Sequence, residues 1–335
     1  MSTRRWAVLG SLTAALLLAC LASLAFGPAQ LSMRVVWDAL VGASGTVDDA
    51  ARQIVLHVRA PRTAVAAVTG GALALSGATL QALLRNPLAE PYILGLSGGA
   101  ALGVVAAIVL GLTETSAWIL PIAAFTGAAC AVLLVLRIAS SASTGFEPRV
   151  LILGGVVLGV FFNAAIMLLL SVASGEALRS AIFWTMGSFG TASWQDVALL
   201  AVPALPASLL LWARARDLDL LVLGEDTAAY LGTKVRSAKL LAFGLASLLA
   251  AAGVAIAGVI GFVGLVVPHA ARILWGSAHR FLLPAAFLLG AAFLVLADVV
   301  ARVVRQPSEI PVGVVTAFVG VPTFVWLLRR AVIQP

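Results

Sequence analysis

Three histidines, His57, His269 and His279, and two cysteines, Cys20 and Cys130, are the side chains best suited to metal or nucleophilic chemistry in this chain. Their placement serves neither. No His-x-x-x-His pair or cysteine cluster supplies the ligand spacing that zinc requires, and both cysteines fall inside apolar runs. The glycine-bearing stretch "GEDTAAYLGTK" (224–234) lacks the Gly-Lys-Ser/Thr ending of a phosphate-cradling loop, so ATP is not held by that route. Carboxylates are nearly absent from the apolar runs, whereas a proton- or sodium-coupled carrier needs such groups at mid-membrane. What remains is placement of charge. Asp298 and Arg302, four residues apart near the end of an apolar run, are spaced to pair on one helix. A dense charged insert occupies residues 214–239: Arg214, Arg216, Asp217, Asp219, Glu225, Asp226, Lys234, Arg236 and Lys239.

The elements that must carry these charges are membrane spans. The chain is 62% hydrophobic and 10% charged, with a mean hydropathy of +1.10. A soluble domain runs at about 25% charged. Apolar runs fall near 6–26, 63–83, 92–112, 117–138, 150–173, 192–213, 281–304 and 310–328, each about as long as a bilayer crossing. They read as helices, because lipid leaves the backbone no outside partner, and they are too long for barrel strands. The first has the basic start and apolar body of a signal peptide, but it continues to Phe26 and reads better as a span. Leu240–Trp275, interrupted by glycines and Pro268, is long for one span and short for two. Counting it as two gives an all-α integral membrane protein of ten transmembrane helices with both termini cytoplasmic. That topology places twice as many basic residues on the cytoplasmic side as outside, and a single span there weakens the bias.

The insert then lies in the cytoplasm. Gly224 and Gly232 punctuate two helix-like pieces, and Glu225 and Asp226 suit the N-terminus of the second. "RNPLAEP" (85–91) reads as a rigid turn fixed by two prolines. The glycines of "TGGALALSGATL" (69–80) and "GVAIAGVIGFVG" (253–264) suit close helix approach or, alternatively, the wall of a neutral channel. Residues 74–89 align without gaps on 255–270, and 121–129 on 284–292. These matches suggest one domain, 1–335, built from two parallel repeat halves, 58–173 and 237–330.

Taken together, "VRAPRTAVAAVTGGALALSGATLQALLRNPLAEPYILGLSGGAALG" (58–103), "FWTMGSFG" (183–190), "LGEDTAAYLG" (223–232), "GVIGFVGLVVPHAAR" (258–272) and "PVGVVTAFVGVPTFVWLL" (311–328) resemble the FecCD-like permeases. These are membrane subunits of ATP-driven importers for iron–siderophore complexes, vitamin B12 and haem. The resemblance implies a multi-pass inner-membrane permease that is not itself an enzyme. It binds no cofactor or metal, and ATP and magnesium belong to a separate ATPase chain. Its implied partners are a second copy of itself or a homologous permease, two cytoplasmic ATPase subunits, an extracytoplasmic binding protein and membrane lipid, with no nucleic acid. Iron–siderophore import is the first expectation, with cobalamin or haem as alternatives. A stand-alone ion-coupled carrier or a polytopic membrane enzyme is the competing class. Carried over by position, the ATPase-coupling residues are Leu218, Leu221, Leu223, Gly224, Glu225, Asp226, Ala229, Leu231 and Gly232. Asn86 and Leu88 match a cytoplasmic gate, and Arg59 and Arg302 match arginines that receive carboxylates of the binding protein. The segment "TGFEPRVLILGG" (144–155) departs from the vitamin B12 member's small hydroxyl residues at the second gate.

Overall fold

Apolar runs whose backbone groups cannot reach water have one local solution, the helix, and the computed structural model is built from helices. It describes residues 3–29, 31–42, 48–142 and 147–333. α1 (Thr3–Ala25) is followed by α2 (Met33–Val41), α3 (Asp49–Gln53) and a π-helical turn, Ile54–Arg59, that leads directly into α4 (Ala60–Leu83). After a 3-10 turn at Pro91–Leu94 come α5 (Leu96–Val109), α6 (Ile119–Ala142), α7 (Pro148–Ser171), α8 (Gly175–Thr185) and α9 (Trp194–Ala213). The charged insert forms α10 (Ala215–Val222) and α11 (Glu225–Tyr230). α12 (Val235–Ala257), α13 (Val263–Trp275), α14 (His279–Val303) and α15 (Val312–Ile333) complete the chain.

Among the described residues, seven helices are long and apolar enough to cross a membrane, in α1, α4 with its leading turns, α6, α7, α9, α12 and α14. Shorter apolar helices lie in α5, α13 and α15. The ambiguous run Leu240–Trp275 divides unequally. α12 is 23 residues long and α13 only 13. Residues 258–262 between them are not helical. α13 therefore rises only about 20 Å at 1.5 Å per residue.

α4 is the axis of the bundle. Of its apolar window, 83% is buried, against 22% for α1, α6, α7 and α9, whose outer faces are left apolar and open. Glycine makes that enclosure possible. A Cβ on Gly70 would lie 2.2 Å from the Gly290 carbonyl of α14, and one on Gly77 would lie 1.8 Å from the Gly264 carbonyl of α13. Backbone meets backbone at both crossings, which only a residue without a side chain allows. α12 lies antiparallel to α4: Ser76 Oγ donates to the Ala246 carbonyl at 2.6 Å, while Gly253 packs near Thr69.

The bundle has two distinct ends. At the insert end, α10 and α11 share the surface with Arg85, Arg272 and Arg280, and the Arg5 guanidinium lies 5.5 Å from the Phe281 ring centroid. At the far end, the close of α1 meets the start of α4 and the close of α14, and the start of α9 meets the π-helical turn. α9 is pinned at both ends by indole nitrogens: Trp194 Nε1 donates to the Leu56 carbonyl at 2.9 Å and Trp212 Nε1 to the Arg280 carbonyl at 3.0 Å.

The alignment of 74–89 with 255–270 is not a structural equivalence. Residues 74–83 are continuous helix, whereas 258–262 break the chain between two helices. Gly77 sits inside α4 to admit α13, and Gly258 ends α12 at φ +72. The shared glycine spacing serves close approach in one copy and chain reversal in the other. The second match, 121–129 with 284–292, falls inside α6 and α14 and is helical in both.

Candidate functional sites at the two ends of the bundle

The insert is an amphipathic ledge. Leu218 and Leu221, three apart on α10, point inward against α4 and α14 and are 1% and 3% exposed. These two anchor the ledge and differ in this from the exposed members of the expected contact set. Leu223, Asp226, Ala229, Leu231 and Gly232 are exposed, and Gly224 and Glu225 are half-buried. Tyr230, at 92% exposure, stands furthest out, beside Val222, Leu223 and Leu231. Exposed apolar side chains are thus grouped on a charged segment. Tyr230 was not singled out from the sequence. The available signal was that it is one of only two tyrosines in the chain and lies in the most polar stretch. Gly224 joins the two helices at φ +117, a conformation that side-chain-bearing residues rarely adopt.

Two carboxylates tie the ledge to the spans. Glu225 binds the Lys239 ammonium at the start of α12, and its Oε1 lies 4.0 Å from Arg85 Nη2. Asp219 Oδ1 accepts the His279 backbone N–H at 2.9 Å and faces His279 Nδ1 at 2.7 Å. It thereby caps α14, whose own N-cap residue, Ala278, makes no side-chain hydrogen bond. Burial pushes the Asp219 carboxyl up. The hydrogen bonds from the His279 ring and amide, together with its charge, outweigh burial and leave the carboxyl below the usual range.

The turn after α4 lies beside Glu225. Arg85 adopts φ +47. Asn86 Oδ1 accepts the Leu88 N–H at 2.9 Å, so this amide builds the turn, while Leu88 is 38% exposed. Further on, Glu90 Oε1 accepts the Phe262 N–H at 2.7 Å. Tyr92 Oη donates to the Ile260 carbonyl at 2.8 Å and accepts the Ile260 N–H at 3.1 Å. These two side chains satisfy backbone groups that the break between α12 and α13 leaves open, including Phe262 at φ +70. Neither was picked out from the sequence, because their partners lie about 170 residues away. Of the expected second gate, Glu147 and Pro148 form the N-cap and first residue of α7, and residues 143–146 lie outside the described ones.

The far end holds a buried charge cluster. Arg62 of α4 donates to Asp298 through Nη2 at 2.8 Å and to Glu309 through Nη1 and Nη2 at 2.9 and 2.8 Å. Arg302 Nε lies 3.1 Å from Asp298 Oδ2, so the pair expected at this spacing is formed. Arg302 also reaches α1 at Ser23 Oγ, 2.7 Å away. Arg59 donates to the carbonyls of Leu24, at 2.7 Å, Ala25, at 2.8 Å, and Ala29. The C-terminal carbonyls of α1 thus meet guanidinium groups, as the helix dipole favours. Arg59 and Arg302 are 3% and 2% exposed. The open carboxylate-seeking forks expected from the sequence are instead occupied within the chain. Arg62 and Glu309 complete the cluster and were not foreseen.

Comparison with known proteins identifies the family. The model of the FecCD transport family matches residues 15–330. The chain is 40% identical over 326 residues to the hemin transport system permease protein HmuU of Yersinia pestis, covering 96% of this chain and 95% of that one. It is 40% identical over 277 residues to the vitamin B12 import system permease protein BtuC of Citrobacter koseri, covering 83% of each. A solved structure of a metal-chelate type ABC transporter in an inward-facing conformation superposes with a TM-score of 0.85 at 35% identity, over 96% of this chain and 99% of that one. This chain belongs to the FecCD transport family and is a permease of an ABC importer.

Proposed function

We propose that the chain is the membrane-spanning subunit of a binding-protein-dependent importer that moves an iron–siderophore complex across the bacterial inner membrane. The observation that carries the importer part of this reading is the exposed face of the insert, Val222, Leu223, Tyr230 and Leu231, fixed to the bundle by Glu225 and Asp219, while the likeness to a metal-chelate type transporter supports the cargo. That face is the seat of a cytoplasmic ATPase, one on each of two permease copies. Seven long and three short apolar helices fit ten crossings with both termini on the insert side. Arg5, Arg85, Arg272 and Arg280 at that end favour the cytoplasm by the positive-inside rule. Leu88, exposed on the neighbouring turn, is the candidate gate contact, with Asn86 holding the turn.

The far end receives the binding protein. Arg59 and Arg302 shape that surface by fixing the last turn of α1; direct capture of a carboxylate requires one of them to leave its present partners. The likeness to haem and vitamin B12 permeases favours a second reading, the same machine carrying one of those macrocycles. The deciding experiment reconstitutes the permease with its ATPase and binding protein in proteoliposomes and offers ferric siderophore, haem and cobalamin in parallel. ATP-dependent uptake of the first supports the proposal. Uptake of either macrocycle alone replaces the cargo, and no ATP-dependent uptake of any of them overturns the importer reading.

A further inference from the structure

Three chain interruptions converge inside the bundle. α8, only 11 residues long, ends at Thr185 and turns back at Gly187. Ser188 N there donates to the Ala257 carbonyl at 2.9 Å, where α12 stops. The start of α15 joins them, with Val312 N donating to the Gly187 carbonyl and Gly313 N to the Met186 carbonyl, both at 3.1 Å. Gly187, Ala257, Gly258 and Val312 are all buried; non-helical backbone shielded in this way persists where protein buries it or where it lines a watered cavity, and broken helices cluster around transport sites.

A groove of about 340 Å³ opens beside this junction, between α5, α7 and α8. Its wall is largely apolar, including Met167, Ile182 and Val259, and no charged side chain lines it. Three neutral polar residues do: Ser97, Asn163 and Thr185. Asn163 is the informative one. It lies 14 residues beyond Arg149 and eight before Ser171 on α7, or about 21 Å and 12 Å along the helix axis. Its side chain is exposed, and neither amide atom has a hydrogen-bond partner among the described residues. An unpaired amide at that depth is costly against acyl chains and inexpensive against water or a polar ligand. The Thr185 hydroxyl donates back to the Ile182 carbonyl at 2.8 Å, which leaves its lone pairs free to accept.

Building on the importer reading, we propose that Asn163, with Ser97 and Thr185, forms a polar contact site for the cargo on the wall of the translocation path. The site suits a bulky metal chelate whose rim carries neutral carbonyl, amide or hydroxyl groups, which the amide and hydroxyls can match while the apolar wall takes its hydrocarbon. With no charge in the groove, the site reads hydrogen-bonding pattern and not net charge.

The test uses the complete permease–ATPase complex in proteoliposomes, with Cys20→Ala and Cys130→Ala removing the native thiols. Asn163→Cys and Thr185→Cys are probed with a charged, membrane-impermeant methanethiosulfonate and with a lipid-soluble maleimide. The expected result is reaction with the charged reagent, slowed while cargo-loaded binding protein and ATP drive transport. Reaction with the maleimide alone places the face in lipid and overturns the proposal. Inertness to both, with a spontaneous disulfide between two copies, assigns the face to subunit packing and equally overturns it. In uptake assays, Asn163→Leu should lower uptake about tenfold, the equivalent of one lost hydrogen bond, and Asn163→Gln should restore most of it. Gel filtration checks assembly, and undiminished uptake by an assembled Asn163→Leu complex overturns the site. Failure of the unsubstituted complex to import any chelate would defeat the importer reading, while the labelling pattern still reports where the groove faces.

Discussion

The two ends of the bundle hold charge in opposite ways. At the far end, Arg62, Asp298 and Arg302 are almost entirely enclosed and bonded to one another and to α1. At the insert end, Arg85 and Glu225 are 4.0 Å apart with side chains 44% and 42% exposed, and Arg214 pairs with Asp217 in similar openness. A buried pair broken on one side leaves an uncompensated charge, whereas an exposed pair broken on one side is rehydrated. The far end is therefore a fixed joint, whereas the insert end combines two enclosed anchors, Lys239 and His279, with exposed pairs that can be remade.

The strongest way to break that contrast is at Asp298. Asp298→Ala removes the carboxylate shared by Arg62 and Arg302 and should cost about 3–5 kcal/mol, read as a large drop in the melting temperature of the detergent-purified protein. A melting temperature equal to the unsubstituted protein's would mean the enclosure is not structural. Next comes Arg59→Met, which withdraws charged donors from the α1 carbonyls. It should cost about 1.5–3 kcal/mol, with Arg59→Lys recovering part of it. If binding-protein association is lost while the melting temperature is unchanged, Arg59 acts directly at the docking surface and not through α1.

Asp219 sharpens the comparison because it is a half-exposed group performing a structural task. Asp219→Ala removes the cap of α14 and should cost about 1 kcal/mol. Its carboxyl is held below the usual range, so its contribution is complete at neutral pH and is lost as the pH falls through its folded value. Melting curves of the variant and the unsubstituted protein should therefore converge in acid, and a gap that persists there would assign the effect to packing. The smallest effects on stability belong to the ledge. Glu225→Gln keeps an acceptor beside the enclosed Lys239 ammonium, 4% exposed, and should cost about 1 kcal/mol, the net worth of one hydrogen bond. Tyr230→Ala should not change it measurably, given its 92% exposure. Both should lower ATP-dependent uptake, measured beside ATPase activity in the same proteoliposomes. Normal uptake by both would remove the ledge from coupling.

What the sequence made legible were features with a local signature. Apolar runs marked the long helices, charge density marked the insert, and four-residue spacing marked Asp298 with Arg302. α8 escaped because "GEALRSAIFWT" is short and mixed in polarity, below the length at which hydropathy speaks. The Arg62–Glu309 contact escaped because its partners are 247 residues apart, and no local pattern encodes their meeting. A resemblance carried over by position does not give helical register; α10 turns Leu218 and Leu221 inward and leaves Leu223 exposed at its end. The burial of Arg59 and Arg302 depends on the final carbonyls of α1, which belong to a separate run.

The two pinned tryptophans of α9 set a dimension. Trp194 and Trp212 are 18 residues apart, about 27 Å along a helix, and each is roughly half exposed. Indole rings settle at the headgroup level of both leaflets. Because each ring is also bonded to a neighbouring segment, the spacing cannot be relaxed by tilting α9 alone. The protein thus carries a built-in gauge for hydrocarbon thickness, at the thin side of the usual bilayer range of about 30 Å. In thicker membranes the lipid must compress around it, so the acyl-chain length chosen for reconstitution is itself a variable of transport.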